Sequence, residues 1–118
     1  MKQILVDHHG DVCCMRLQRP ELQEEDLHQF SNEVNQLIQD EGCRKLVFSL
    51  GPQGPLCLYS IFLAKLVSIQ RRLRQAGGSL KLAHVSPEIY KIFEVCKLQT
   101  LFDFCPDQKT ALAEFSKS

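Results

Sequence analysis

The sequence predicts an α/β fold in which about four helices cover a mixed sheet of four to five strands. The stretch 46–78 reads as a short apolar strand, a loop of glycine and proline, a long apolar helix and a pair of glycines. A further strand follows directly, and strand, helix, strand in this order implies a right-handed parallel crossover. A glycine-containing hairpin at the amino end adds an antiparallel pair. The predicted order of elements is ββαβαβα(β)α.

Length, composition and charge bound the class of protein. With 118 residues, 44% hydrophobic and 24% charged, the chain is sized for a single domain, 1–118, that buries its own core. The 14 basic and 14 acidic residues cancel, so no global field favours nucleic acid or an anionic membrane. No apolar stretch reaches spanning length, and the amino-terminal run is too short for a signal peptide. We predict a cytoplasmic protein with no nucleic-acid partner and no membrane span.

The six cysteines are predicted to be free thiols, buried or half-buried. The apolar content makes disulfides unnecessary, no C-x-x-C pair occurs, and cysteine packs as a small hydrophobe. They are Cys13, Cys14, Cys43, Cys57, Cys96 and Cys105.

The amino end is predicted to form a hairpin. Strands over 3–8 and 12–17 flank a turn at 9–11, and Pro20 follows the second strand. Side chains alternate across a strand, so the second strand has two faces. The better core candidate is the face that holds Cys13, Met15 and Leu17.

The middle of the chain is predicted to be helix, strand, helix, strand. Apolar spacing indicates an amphipathic helix over 24–40, with three acidic residues in its first turn. A strand over 46–50 precedes a helix over 58–75 that is apolar around much of its circumference. Such a helix is buried on several sides or carries a partner-facing surface. Strand 79–85 follows, with His84 near its end.

The carboxyl end is predicted to add two helices around a short edge strand. Ser86 is the expected N-cap of the first, with Pro87 at the first helical position. The edge strand spans 102–105. The last helix opens at Pro106-Asp107 and runs through Phe115.

Residues around the 51–58 turn are candidates for nucleophilic catalysis. Cys57 or Ser60 would be the nucleophile and His84, at the end of the neighbouring strand, the base. Their spacing matches no motif that has a mechanism attached, and a core cysteine with a half-buried histidine is the plainer interpretation. We predict no catalytic residue and no enzyme.

The sequence also offers residues of the types that bind metals and phosphate. His8, His9, Cys13 and Cys14 surround one hairpin, but alternation lets at most one histidine and one cysteine share a side, short of the four ligands of zinc. The loop at 51–55 has glycines but no P-loop lysine, and its two prolines remove donors. We predict no metal and no cofactor.

One run combines a glycine pair, an apolar strand, a Ser-Pro helix start and a Leu-Phe pair. It extends from Gly77-Gly78 through the strand Ser79-Leu80-Lys81-Leu82 to Val85-Ser86-Pro87-Glu88, and continues in 92–98 and in Leu101-Phe102. In this run most clearly, and over roughly residues 3–116, the chain resembles a STAS domain, the fold of bacterial anti-sigma factor antagonists. The order of elements is also that of the family. The resemblance implies a regulatory role in transcription and signalling through binding of a protein, such as an anti-sigma factor kinase.

In the family, a D-S-[ST]-G motif at the strand-to-helix turn carries a phosphorylated serine. Counting back from Gly77 places Ser60 at that position, whereas counting forward from Leu50 places Leu58 there. The residues flanking Ser60 are Tyr59, Ile61 and Phe62, and Ser49 replaces the Asp that usually ends the preceding strand. A phosphate there would add nearly two negative charges to a contact surface.

The preferred hypothesis is a non-enzymatic domain that binds a protein through the 51–62 turn and the following helix. The predicted partner-binding residues are Pro52, Pro55, Tyr59, Ser60 and Phe62. One alternative is an antagonist switched by phosphorylation of Ser60. Another is a sensing module that holds a small molecule or nucleotide between the turn and His84.

Overall fold

The computed structural model describes residues 2–52 and 54–117, which form a five-stranded sheet and four helices. The strands are β1 (Ile4–His9), β2 (Val12–Leu17), β3 (Lys45–Ser49), β4 (Ser79–Ala83) and β5 (Asp103–Cys105). The helices are α1 (Glu24–Gln39), α2 (Tyr59–Gln75), α3 (Pro87–Val95) and α4 (Gln108–Ser116). The predicted α/β class and order of elements are confirmed.

The sheet runs in chain order, β1-β2-β3-β4-β5. β1 and β2 pair antiparallel as the predicted hairpin, and every later pair is parallel. The carboxyl ends of β2, β3 and β4 therefore meet at one edge of the sheet, where open α/β sheets place their binding sites. The loop between β3 and α2 leaves from this edge.

Helices cover both faces of the sheet and divide the core in two. The main core lies beneath α1, α2 and α3, and its centre is formed by Phe30, Phe48 and Phe62, whose ring centroids are 5.5 to 6.4 Å apart. A smaller core lies beneath α4 on the opposite face.

The smaller core changes the prediction for β2. Cys13 and Met15 join the main core as predicted. Val12 and Cys14 lie on the opposite face of the strand, which was the weaker core candidate, but they are buried too. They pack in the smaller core with Ala111 and Phe115 of α4. A strand covered on both faces loses the inside–outside contrast on which the sequence argument relied.

The end of α2 is set by the two glycines that the sequence singled out. Gly77 has φ +86°, and its N–H donates to the carbonyl of Arg74 while that of Gly78 donates to Leu73. This is the Schellman arrangement, which satisfies the last carbonyls of a helix. It turns the chain directly into β4, whose first residue donates to the carbonyl of Arg44.

Two expectations near the surface are corrected. β4 ends at Ala83 and not at 85, because His84 takes a left-handed conformation with φ 56° that leaves the strand. All six cysteines are free, as predicted, but Cys96 is exposed because it lies beyond the last turn of α3. Within residues 2–52 and 54–117, every helix is too short or too polar to span a bilayer.

Candidate partner-binding site

The site is built around the β3–α2 loop, residues 51–52 and 54–58, which hydrogen bonds hold to the segment before α1. The backbone N–H of Leu56 donates to the carbonyl of Pro20 at 2.7 Å, and that of Leu22 donates to the carbonyl of Leu56 at 3.0 Å. Glu21 and Leu56 thereby form a one-residue parallel bridge. The loop is fixed by the same kind of bond that holds strands together.

Glycines let the start of this loop lie against two other elements. The Gly51–Pro52 peptide is cis, and a Cβ on Gly51 would stand 2.8 Å from the Cβ of His84. A Cβ on Gly54 would stand 3.0 Å from Cγ1 of Ile89 in α3. These contacts are closer than side chains normally allow, so the loop is packed between the end of β4 and the start of α3.

The fixed loop exposes two leucines. Leu56 and Leu58 are each 59% exposed. Tyr59 follows at the start of α2, where its hydroxyl donates to the carbonyl of Pro55 and its ring meets the edge of Phe62. Apolar side chains held in solvent by an ordered backbone are typical of binding surfaces.

The five predicted partner-binding residues separate into two groups. Pro52 and Ser60 are exposed and Tyr59 is half-buried, so a partner can reach all three. Pro55 is buried, and Phe62 is completely buried between the rings of the main core. The prediction of direct contact is therefore corrected for Pro55 and Phe62, because the inward face of α2 begins at Phe62.

Leu56 and Leu58 are exposed but were not among the predicted partner-binding residues. In the sequence they precede an apolar helix, and nothing in their spacing separates them from its buried stripe. Only the hydrogen bonds of Leu56 to the segment before α1 leave its side chain pointing outward. The exposure of these leucines is set by tertiary contacts, and the local sequence pattern does not indicate it.

The exposed side of α2 is polar, contrary to the partner-facing apolar surface considered from the sequence. The apolar residues of α2, including Leu63, Leu66 and Ile69, are buried in the main core. The opposite side forms an open groove of about 740 Å³ with α1. This polar groove includes Ser60, Ser68 and Arg72 of α2 and His28 and Asn32 of α1.

Ser60 lies in the first turn of α2, as predicted. It is the second residue of the helix and is exposed at one end of the polar groove. The N-cap, Leu58, provides no side-chain capping bond, and no acidic residue occupies the first turn of this helix. No side chain of the first turn of α2 therefore offsets the partial positive charge at the N-terminus of this helix. A negative charge added at this end would be stabilised by the helix dipole.

The catalytic candidates are not assembled into a reacting group. Burial raises the pKa of the Cys57 thiol to about 11, the opposite of an activated nucleophile. His84 is exposed against Gly51. The pKa of the nearby Asp107 carboxyl is lowered chiefly by its hydrogen bond from Thr110, and His84 adds only a smaller contribution. The hydrogen bonds of residues 2–52 and 54–117 include none that joins His84 to Cys57 or Ser60.

Of the four hairpin residues that could bind a metal, only His8 and Cys13 lie close together in the described structure. His8 lies opposite Cys13 across the β1–β2 ladder, and its Nδ1 is 3.6 Å from Sγ of Cys13. His9 and Cys14 belong to neighbouring pairs on the other side of the hairpin. In the part of the chain that the structure describes, no three residues of metal-binding type are grouped.

Solved structures of anti-sigma factor antagonists have the same fold as this chain. An anti-sigma-factor antagonist (STAS) domain protein from Planctomyces limnophilus has a TM-score of 0.81 at 22% identity, over 97% of this chain and 98% of its own. The phosphorylated form of SpoIIAA, a cell fate determinant of Bacillus, has a TM-score of 0.71 at 14% identity, over 95% of this chain and 98% of its own. At these identities the similarity establishes the fold alone.

Comparison of sequences identifies the family. No curated protein matches the chain, but the family model of the STAS domain matches residues 3–111. That match covers all five strands and continues into α4. The chain therefore belongs to the STAS domain family.

Proposed function

We propose that this STAS domain is a non-enzymatic regulatory module that binds a protein partner through the β3–α2 loop and the first turn of α2. The observation that carries the proposal is the exposure of Leu56 and Leu58 on a loop with a fixed backbone. Removing most of a leucine side chain from water is worth about 1 to 2 kcal/mol. Two such side chains would supply much of the centre of a small interface.

The surroundings of the two leucines suit this role. Interfaces commonly have an apolar centre and a polar rim. Here Ser60 and the polar groove between α1 and α2 provide the polar side, and Tyr59 provides an aromatic ring whose hydroxyl is already bonded to the carbonyl of Pro55. A loop that is ordered before binding loses little conformational entropy when the partner arrives.

The family supports a partner of a particular kind. The similar structures from Planctomyces limnophilus and Bacillus are anti-sigma factor antagonists. We propose that the partner of this chain is an anti-sigma factor kinase, and that binding, rather than chemistry on a substrate, transmits the signal. The whole of 1–118 would act as one domain.

The test is calorimetric titration of the purified domain with the anti-sigma factor kinases encoded in the same genome. Leu56→Asp and Leu58→Asp should each weaken binding at least tenfold, because a carboxylate would be buried against an apolar surface. Val95→Asp is the matched control, since Val95 is 74% exposed on α3. Equal affinities for all three variants would contradict the proposal.

A second candidate function is a switch operated by phosphorylation of Ser60, favoured by the exposure of Ser60 in the first turn of α2. A phosphate would be stabilised by the helix dipole and would place nearly two charges beside Leu58. SpoIIAA is known in both phosphorylated and unphosphorylated forms. Mass spectrometry after incubation with the partner kinase should find the phosphate on Ser60 and none on Ser60→Ala. Absence of phosphate from Ser60 would end this candidate.

A further inference from the structure

A second concave site lies at the other end of α2, away from the β3–α2 loop. Val67, Gln70, Arg71 and Arg74 line one wall at helical spacing, and Leu101 and Phe102, which precede β5, line the other. We call this the α2–Phe102 pocket. Its volume is about 380 Å³, within the range of small-molecule sites.

The walls of the α2–Phe102 pocket are held together by a buried amide. Gln70 is 8% exposed, and its Nε2 donates to the carbonyl oxygen of Leu101. Phe102 is buried edge-on against Phe93 of α3, with ring centroids 5.5 Å apart. The wall opposite α2 is therefore tied both to α2 and to α3, and the pocket is formed without a ligand.

The α2–Phe102 pocket is apolar on one side and cationic at its rim. Val67 is half-buried, and Leu101 is exposed at the mouth. Arg71 and Arg74 are exposed and line the pocket, and among the described residues no Asp or Glu belongs to its lining. A cavity of this composition is complementary to a molecule with an apolar body and an anionic head.

Within residues 2–52 and 54–117, no ion pair joins Arg71 or Arg74 to an acidic side chain. Among the described residues, the ion pairs involve only His8, Lys45 and Lys81 as cations. The nearest acid along the chain from Phe102 is Asp103, and its carboxylate lies 3.7 Å from Nζ of Lys81, which contacts α4 on the opposite face of the sheet. The positive charges of Arg71 and Arg74 at the rim of the pocket are therefore available to pair with an anionic ligand.

Compensation of the helix dipole does not account for the arrangement. Cations in the last turn of a helix are favourable wherever they point. Arg72 satisfies that preference as well as Arg74 does, yet it lines the polar groove towards α1, and Arg71 lies before the last turn. The pairing of Arg71 with Arg74 on the side of Val67 and Phe102 is a separate feature.

We propose that the α2–Phe102 pocket binds a monomeric amphipathic anion, an aliphatic chain with a carboxylate or phosphate head. The chain packs on Val67, Leu101 and Phe102, and the head lies between Arg71 and Arg74. A cavity of this size accepts roughly eight to ten carbons besides the head group. The site is independent of the proposed partner surface.

The test is a titration of the domain with decanoate, decyl phosphate and the neutral decanol, each below its micellar concentration, followed by NMR shifts at Val67 and Leu101. At least one of the anions should bind saturably, and at least tenfold more tightly than decanol. Whichever anion binds more tightly identifies the head group. Absence of saturable binding by both anions, or equal binding of decanol, would overturn the proposal.

Variants separate specific binding from general attraction to a basic helix. Arg71→Gln with Arg74→Gln should weaken binding of the anion at least tenfold, while Arg72→Gln, one residue away on the groove side, should leave it within twofold. All three side chains are exposed, so the fold should persist, which circular dichroism would verify. An equal loss in Arg72→Gln would show attraction to the helix end and overturn the proposed site.

Discussion

The backbone N–H of Leu56 donates to the carbonyl oxygen of Pro20, 36 residues earlier in the chain, while the Leu56 side chain remains 59% exposed. Exposed loops are usually mobile, but this hydrogen bond keeps the β3–α2 loop ordered although its side chains are exposed. The β3–α2 loop can present leucines to a partner and remain ordered. The proposed function depends on this combination.

Ordering of the loop predicts slow amide exchange at Leu56. Its N–H is bonded inside a two-bond bridge with residues 20–22, so exchange requires local opening of that bridge. We expect the Leu56 amide to exchange at least tenfold more slowly than an unprotected amide of the same sequence. NMR-detected hydrogen exchange measures this rate, and exchange at the unprotected rate would mean that the loop is not held.

Substitution of Gly78 should be among the most damaging single changes. A Cβ there would stand 2.1 Å from the carbonyl oxygen of Arg44, so Gly78→Ala must separate the end of α2 from the start of β3. We expect a loss of about 3 kcal/mol or more in the free energy of unfolding.

Gly77→Ala is the matched control for Gly78→Ala. Gly77 has φ +86° but open space around it, so an alanine there should cost only about 1 to 2 kcal/mol. Urea titration of both variants compares the two losses. Equal losses would indicate that conformation, and not the contact with Arg44, limits position 78.

Replacement of Ser49 by alanine should stabilise the protein. Ser49 is 8% exposed at the end of β3, and its Oγ has no hydrogen-bond partner in the described structure. Removing an unsatisfied buried hydroxyl should raise the free energy of unfolding by about 1 kcal/mol. A loss of stability on thermal unfolding would show that the hydroxyl has a partner.

Ser86→Ala should have the opposite effect on stability from Ser49→Ala. The hydroxyl of Ser86 accepts the N–H of Ile89 at 3.2 Å and caps α3, so its removal should lower the free energy of unfolding by about 1 kcal/mol. The two serines should therefore change stability in opposite directions in the same denaturation experiment.

The environment of Cys57 predicts the pH dependence of its alkylation. Its pKa is raised to about 11, so only the minor thiolate reacts at neutral pH, and the reactive fraction rises tenfold per unit. The rate with iodoacetamide should increase from pH 7 to pH 10 without a plateau. Peptide mass spectrometry distinguishes Cys57 from the other five thiols. A plateau near pH 8 would instead indicate an activated thiolate and reopen the catalytic interpretation.

The fold was predictable because its elements carry strong local signals. The N-cap at Ser86, the glycines after Gln75 and the hairpin turn at Gly10 each depend on neighbouring residues, and all three are found where predicted. The burial of Val12 and Cys14 was not predictable in this way. It results from α4, which lies about 100 residues later in the chain and covers the second face of the sheet.

The site was predictable in position but not in residues. The turn before α2 was identified from its glycines and prolines, and it lies at the carboxyl edge of the sheet. Phe62 was predicted to contact a partner and is buried, whereas Leu56 and Leu58 were not predicted and are exposed, because periodicity alone does not show which side of a helix faces the core. That side is set by the contact of Phe62 with Phe30 and Phe48, two elements away in the sequence.

The most direct measurement is an NMR footprint of a cognate anti-sigma factor on the labelled domain. The account predicts that the largest shifts and the strongest loss of solvent exposure fall on Pro52, Leu56, Leu58 and Ser60, with Val95 unaffected. A footprint confined to α3 or α4, with the β3–α2 loop unchanged, would contradict it.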